Sequence, residues 1–159
     1  MSAAATFDDV RELYQEIILD HGRHPRNHRR LDRPDGRADG DNPMCGDRIS
    51  VEVERDAGLR LKDIGFQARG CAICIASGSL MTELCRGHTA EEVHALAACV
   101  RELARTGTAP AAEGWMAEAL ERLAPLSGVA AFPSRVKCAT LAWHTLEAAL
   151  GPGGKVSTE

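Results

Sequence analysis

From Ile49 to Ala68 the apolar residues fall mainly on alternate positions: Ile49, Val51 and Val53, then, after the Asp56-Ala57-Gly58 turn signal, Leu59, Leu61, Ile64, Phe66 and Ala68. A period of two belongs to a strand with one buried face, so this stretch predicts an antiparallel meander, with Gly65 marking a bulge. On either side the period becomes helical. Phe7, Val10, Tyr14, Ile17 and Ile18 predict a first helix over 7–19, with Thr6 and Asp9 as a capping box and Gly22 as its stop. Helical patterns return at 71–85 and at 90–105, the latter behind a Thr89/Glu92 capping box. Two more follow, at 115–126, ended by Pro125, and at 134–150, capped by Ser134 and terminated by Gly151 and Pro152. One helix, a small sheet and then a run of helices predict an α+β fold. Its small antiparallel sheet, of about three strands, is packed on one side by the helices.

A chain of 159 residues with 44% hydrophobic and 26% charged residues and a net charge of -4 has the balance of a single globular domain. That domain is expected over 1–150, with 151–159 as a flexible tail. No apolar run reaches the roughly 20 residues of a membrane span, which argues against a membrane-embedded role. The start MSAAATFDDV lacks a basic region and an apolar core, so a cytoplasmic location is expected. Arg23 to Arg37 holds six arginines and two histidines without hydrophobic period and reads as a loop, either solvated or a protein-docking surface. Nucleic acid is an unfavoured partner, because the chain is acidic overall and no aromatic residues interleave with these arginines. His21, His24 and His28 read as surface residues rather than ligands.

A reducing compartment directs the six cysteines away from a disulfide framework, toward metal ligation, a reactive thiol or packing. Cys45 lies in a Pro- and Gly-flanked turn, two residues before Asp47. Cys71 falls where strand pattern gives way to helix, and Cys138 about one turn into the last helix, positions where the helix dipole favours a thiolate. Three thiolates and a carboxylate suit tetrahedral zinc. Separations of 26 and 67 residues match no zinc-finger template, so buried packing cysteines remain the competing reading. With Zn²⁺ such a set carries -2, for which Arg135, Lys137 and Arg69 are the neighbouring cations. Cys71 and Cys74 also form a CxxC, but the meander before it lacks the βαβ unit of a thioredoxin-like redox pair. Cys74, Cys85 and Cys99 read as helix-core residues, with an auxiliary thiol as the alternative for Cys74.

NPMCGD around Cys45, RGCAICIASGSLMTE around Cys71 and RVKCATLAWHTLEAAL around Cys138 resemble the U-type iron-sulfur cluster assembly proteins, most closely the SufU branch. The likeness extends to LYQEIILDHGRHPRNH near the start and so spans nearly the whole chain. It implies a SufE/IscU-like fold and a zinc site of Cys45, Asp47, Cys71 and Cys138, with Cys45 also the sulfur acceptor. It also implies a partner, a pyridoxal-phosphate-dependent, SufS-like cysteine desulfurase. The chain would be that enzyme's co-substrate and activator, delivering sulfur to a downstream scaffold or apo-protein. Arg135 would balance charge. Scaffold-type relatives resemble one another in a His before the last Cys and an upstream Leu-Pro-Pro-Val-Lys segment. Here Lys137 stands in the first place and Ala131-Phe132-Pro133-Ser134 runs through the second. The interval from Gly107 to about Leu126 looks like a SufU-type insertion. Both features favour sulfur transfer over the alternative, a scaffold holding a [2Fe-2S] cluster on the same ligands.

Overall fold

The computed structural model describes residues 7–157. It is an α+β fold, with helices on one face of a four-stranded sheet. Helix α1 (Phe7–Arg23) leads into an irregular segment and then strands β1 (Gly36–Asn42), β2 (Asp47–Arg55) and β3 (Leu61–Arg69). Helices α2 (Ala72–Cys85), α3 (Ala90–Thr106) and α4 (Trp115–Leu123) follow. A 3-10 helix (Ala124–Ala131), α5 (Pro133–Leu150) and β4 (Gly154–Ser157) complete the order. The sheet order is β3-β2-β1-β4, with β1 antiparallel to β2, β2 antiparallel to β3, and β4 parallel to β1.

The expected sheet of about three antiparallel strands is therefore corrected to a mixed sheet of four. β1 begins at the end of the stretch read as loop and runs on through residues to which the sequence pattern assigns no strand, because Gly36-Arg-Ala-Asp-Gly-Asp-Asn42 has one apolar side chain, Ala38, and is held by backbone pairing on both edges. β4 lies in the stretch expected to be a flexible tail. The bulge is also elsewhere: Glu54 pairs with Asp63 and Arg55 with Leu61, leaving Lys62 as the extra residue. Gly65 instead admits a close neighbour, since a Cβ there would sit 2.5 Å from the Arg29 carbonyl oxygen. Leu59 belongs to the turn, with φ of 63° and an exposed side chain. α4 stops at Leu123, two residues before Pro125, as expected, and Pro125 lies in the first turn of the 3-10 helix that follows. Pro133, not Ser134, starts α5, behind Phe132 as a cap without a side-chain bond. The Thr89/Glu92 capping box is present as expected, whereas Thr6 of the first expected cap lies outside the described residues.

Ile49, Val51 and Val53 of β2 and Ile64 and Phe66 of β3 turn to the inner face. α5 crosses β1 and β2 there, while α2 covers β3 and packs on α5. α2 is buried over ten of its fourteen residues, as befits a helix enclosed by α1, α5 and the sheet. Trp143 of α5, fully buried, donates its indole N–H to Ser77 Oγ at 3.0 Å, and the Ser77 hydroxyl donates in turn to the Ala139 carbonyl at 2.6 Å.

The Arg-rich segment is docked on the sheet. The Asn27 carbonyl and His28 Nε2 accept from the backbone N–H groups of Phe66 and Ala68 (3.1 and 3.0 Å), which closes the free edge of β3. Arg29 pairs with Asp63 at 2.7 Å, and Leu31 donates its N–H to Glu52 at 2.9 Å. His21 is buried rather than on the surface, with Nδ1 2.7 Å from Ser79 Oγ. No helix of the described residues is long and apolar enough to cross a membrane.

Candidate metal centre

Three chain turns meet at one end of the sheet. Asn42 closes β1 and pairs with Asp47 at the start of β2, so residues 43–46 form the tip of a hairpin. Asn42 shapes that tip: its carbonyl accepts from Cys45 and Gly46 N–H at 3.3 and 2.9 Å, and its side-chain Oδ1 from Met44 N–H at 3.2 Å. Gly46 takes φ of 74°, with nothing within 4 Å of where a Cβ would stand. The hairpin thus carries Cys45 outward and turns Asp47 inward; Cys45 is exposed and Asp47 only 1% so. At the end of β3, Gly70 leads into Cys71, the N-cap residue of α2. α5 supplies Cys138, fully buried, whose thiol points back toward the Ser134 carbonyl one turn earlier.

Cys45 Sγ lies 3.0 Å from Asp47 Oδ2 and 3.3 Å from Cys138 Sγ, and these three donor atoms form one compact group. Cys71 joins through Asp47, its backbone N–H donating to Oδ1 at 2.9 Å and its Sγ standing 3.6 Å from Oδ2. Gly70 makes this possible, because a Cβ there would come within 2.1 Å of Asp47 Oδ1. Three of the four expected ligand residues, Cys45, Asp47 and Cys138, are therefore brought into one compact group, and Cys71 stands beside it, in contact with Asp47 but outside the group. A tetrahedral zinc with sulfurs at 2.3 Å and an oxygen near 2.1 Å has S···S edges of about 3.8 Å and S···O edges of about 3.6 Å. The Cys71–Asp47 edge already matches, the Cys45–Asp47 and Cys45–Cys138 edges are about 0.6 and about 0.5 Å short, and Cys71 Sγ, outside the compact group of three, has to swing in to complete the tetrahedron. Soft thiolates with one carboxylate are a donor set suited to zinc or to iron.

Burial works against the charged form of Asp47, but hydrogen bonds from Cys138, Cys45 and Cys71 outweigh it and hold the carboxyl below its usual range. Burial, followed by the Asp47 and Cys45 hydrogen bonds, pushes the Cys138 thiol up. The expected pull of the helix terminus toward a Cys138 thiolate is thus overridden until a cation sits among the donors. Arg135, exposed on the first turn of α5, is held above its ordinary value first by a hydrogen bond with Cys138 and then by the charge of Cys71. Among the described residues, Lys137 makes no side-chain ion pair. Burial also pushes Cys74 and Cys85 up, and both are sealed in the core, while the half-buried Cys99 lies on α3 away from the centre.

Two contributors are invisible in the sequence. Asn42, fully buried, aims its amide at Cys138 Sγ from 3.9 Å, and Gly70 clears space for the carboxylate. An amide and a glycine in a polar stretch carry no signal until the hairpin is closed.

Known proteins resemble this chain over most of its length. It is 38% identical over 141 residues to the iron-sulfur cluster assembly scaffold protein IscU of Streptococcus pyogenes serotype M1, covering 89% of this chain and 84% of that one. It is 34% identical over 135 residues to the zinc-dependent sulfurtransferase SufU of Bacillus subtilis strain 168, covering 85% and 87%. A crystal structure from Fervidobacterium islandicum AW-1, described as a candidate scaffold protein for the SUF system, superposes with a TM-score of 0.74. The two are 29% identical, over 87% of this chain and 97% of the other. With the NifU-like N terminal domain model matching residues 13–152, the chain belongs to that family, the U-type iron-sulfur assembly proteins.

Proposed function

We propose that this protein is a zinc-dependent sulfur acceptor in iron-sulfur cluster assembly, with Cys45, Asp47, Cys71 and Cys138 holding the metal and Cys45 receiving the sulfur. The observation that carries the reading is an asymmetry of exposure. Of the clustered donors, Cys45 stands in solvent on a hairpin tip, whereas Asp47 and Cys138 are buried and Cys71 is half-buried. A nucleophile has to be reached by its substrate, and a holding ligand does not. Zinc bound to such a set keeps thiols deprotonated near neutral pH.

The substrate is the persulfide on the active-site cysteine of a pyridoxal-phosphate-dependent cysteine desulfurase. The Cys45 thiolate attacks its outer sulfur; the donor's S–S bond breaks, a new S–S bond forms on Cys45, and the donor cysteine leaves as a thiolate. Electrons balance within the exchange, and no external oxidant or reductant enters. Arg135, at the mouth of the cluster, offsets negative charge where two thiolates meet. The hydrogen bonds of Asn42 to the hairpin tip hold Cys45 at the surface.

Desulfurase turnover in the presence of this protein tests the reading. Cys45→Ala is expected to abolish stimulation, and a variant that stimulates as well as the unaltered protein would refute an acceptor role. A second reading, a scaffold for an iron-sulfur cluster on the same residues, is favoured by the name of the 38% identical streptococcal relative. Metal analysis of protein purified without added metal separates them. About one tight, colourless zinc per chain supports transfer, and a coloured iron-containing product supports the scaffold.

A further inference from the structure

On the outer face of the sheet, immediately behind the metal centre, Arg48 of β2 and Arg69 of β3 stand directly opposite each other in register, both exposed. Like charges facing each other across a strand pair are unfavourable. Other arginines on the sheet have a carboxylate: Arg29 has Asp63, Arg37 has Asp39 and Glu52, Arg55 has Asp35, while Arg30 donates to the Gln67 amide oxygen. Arg48 and Arg69 have none among the described residues. Asp41, across from Arg48 on β1, makes no ion pair with it. The two guanidiniums, with Gly46 and Gly70, line an open cavity of about 420 Å³. Gly46 adjoins Cys45 and Gly70 adjoins Cys71, so this cavity flanks the thiols on the sheet side as Arg135 flanks them on the α5 side. Gly46 brings no side chain to it, with nothing within 4 Å of where its Cβ would stand.

We propose that Arg48 and Arg69 form a carboxylate clamp for the sulfur-donating partner, taking an Asp or Glu side chain from the polypeptide segment that carries the partner's persulfide cysteine. This rests on the acceptor role of Cys45. A segment that brings its sulfur to the hairpin tip over Gly46 and Gly70 lays its flanking residues on the two guanidiniums. Arginine is suited to bidentate carboxylate recognition, and an acidic side chain there relieves the repulsion that the free protein carries. A larger groove of about 660 Å³ continues from the pair across the outer face toward Lys155 on β4. An extended segment fits this open surface better than a small anion, which two exposed guanidiniums hold weakly in water.

The test is desulfurase turnover titrated with the unaltered chain and with Arg48→Gln, Arg69→Gln and the double variant, at several salt concentrations. Zinc content and melting temperature are measured alongside to show that each variant is folded and loaded. The clamp predicts that the half-saturating concentration of the double variant rises on the order of tenfold, its salt dependence flattens and the maximal rate stays. Half-saturation and salt dependence equal to those of the unaltered chain would overturn the proposal. So would inhibition by millimolar phosphate or acetate beyond that of chloride at matched ionic strength, which would assign the pair to a small free anion. Absence of stimulation by the unaltered chain would refute the acceptor role itself, a result distinguishable from either.

Discussion

Replacing Gly70 with alanine tests the placement of Asp47 at the centre. The added Cβ would come within 2.1 Å of Asp47 Oδ1, 2.8 Å of its Cγ and 3.1 Å of its Cα. A carbon and an oxygen in contact are separated by more than 3 Å, so the carboxylate has to move by about 1 Å or more. It accepts from Cys71 N–H at 2.9 Å and from Cys45 Sγ at 3.0 Å, and neither bond survives that shift. Hydrogen bonds to a charged group contribute about 1.5–3 kcal/mol each, and partial recovery through water leaves an expected loss of about 2–4 kcal/mol. At about 2–4 °C per kcal/mol for a chain of this size, melting falls by roughly 4–16 °C. Zinc affinity falls with it, measured by competition with a chromogenic chelator. Gly46→Ala is the matched control. Its Cβ meets nothing within 4 Å, so only the positive φ of 74° opposes it, at about 1 kcal/mol, with zinc affinity kept. If Gly70→Ala bound zinc as tightly as the unaltered chain and melted with it, Asp47 would not be where the centre needs it.

Ser77→Ala leaves the buried Trp143 indole N–H without an acceptor and should cost about 1–3 kcal/mol in urea unfolding, with metal content unchanged; no loss would place water at that site. Stripping zinc with a chelator should lower the melting temperature, since a ligand present at a hundredfold its Kd adds about 2.7 kcal/mol; identical melting with and without chelator would mean the centre holds no metal. Burial is the first cause lowering both His21 and His144, with Arg26 and Arg101 respectively adding to it. Their folded values lie below the ordinary 6.5, so the unfolded chain binds more protons there and stability declines as pH falls below about 6.5. The urea midpoint should drop between about pH 7.5 and about pH 5.5, and His144→Gln should flatten that slope.

The parts of the fold readable from sequence are those whose side chains encode a face. β2 and β3 alternate, and α3 carries its own capping box, so each is marked by its residues. β1 and β4 are made by backbone pairing between polar and glycine-rich segments, and no side chain announces them. The same division runs through the site. Cys45, Cys71 and Cys138 stand out as thiols in three recognisable motifs, and Asp47 by its place two residues after the first. Asn42 and Gly70 act through geometry alone. The facing of Arg48 by Arg69 is a property of register, which the pairing of β2 with β3 settles and neither strand's sequence states.

The central claim is that sulfur arrives on Cys45. Brief reaction of the zinc-loaded protein with a cysteine desulfurase and limiting cysteine, followed by alkylation, proteolysis and mass spectrometry, reads it directly. One added sulfur atom on the peptide carrying Cys45, and none on those carrying Cys71 or Cys138, is the predicted result. Sulfur on Cys71 or Cys138 instead, or on no cysteine while the desulfurase turns over, would contradict it.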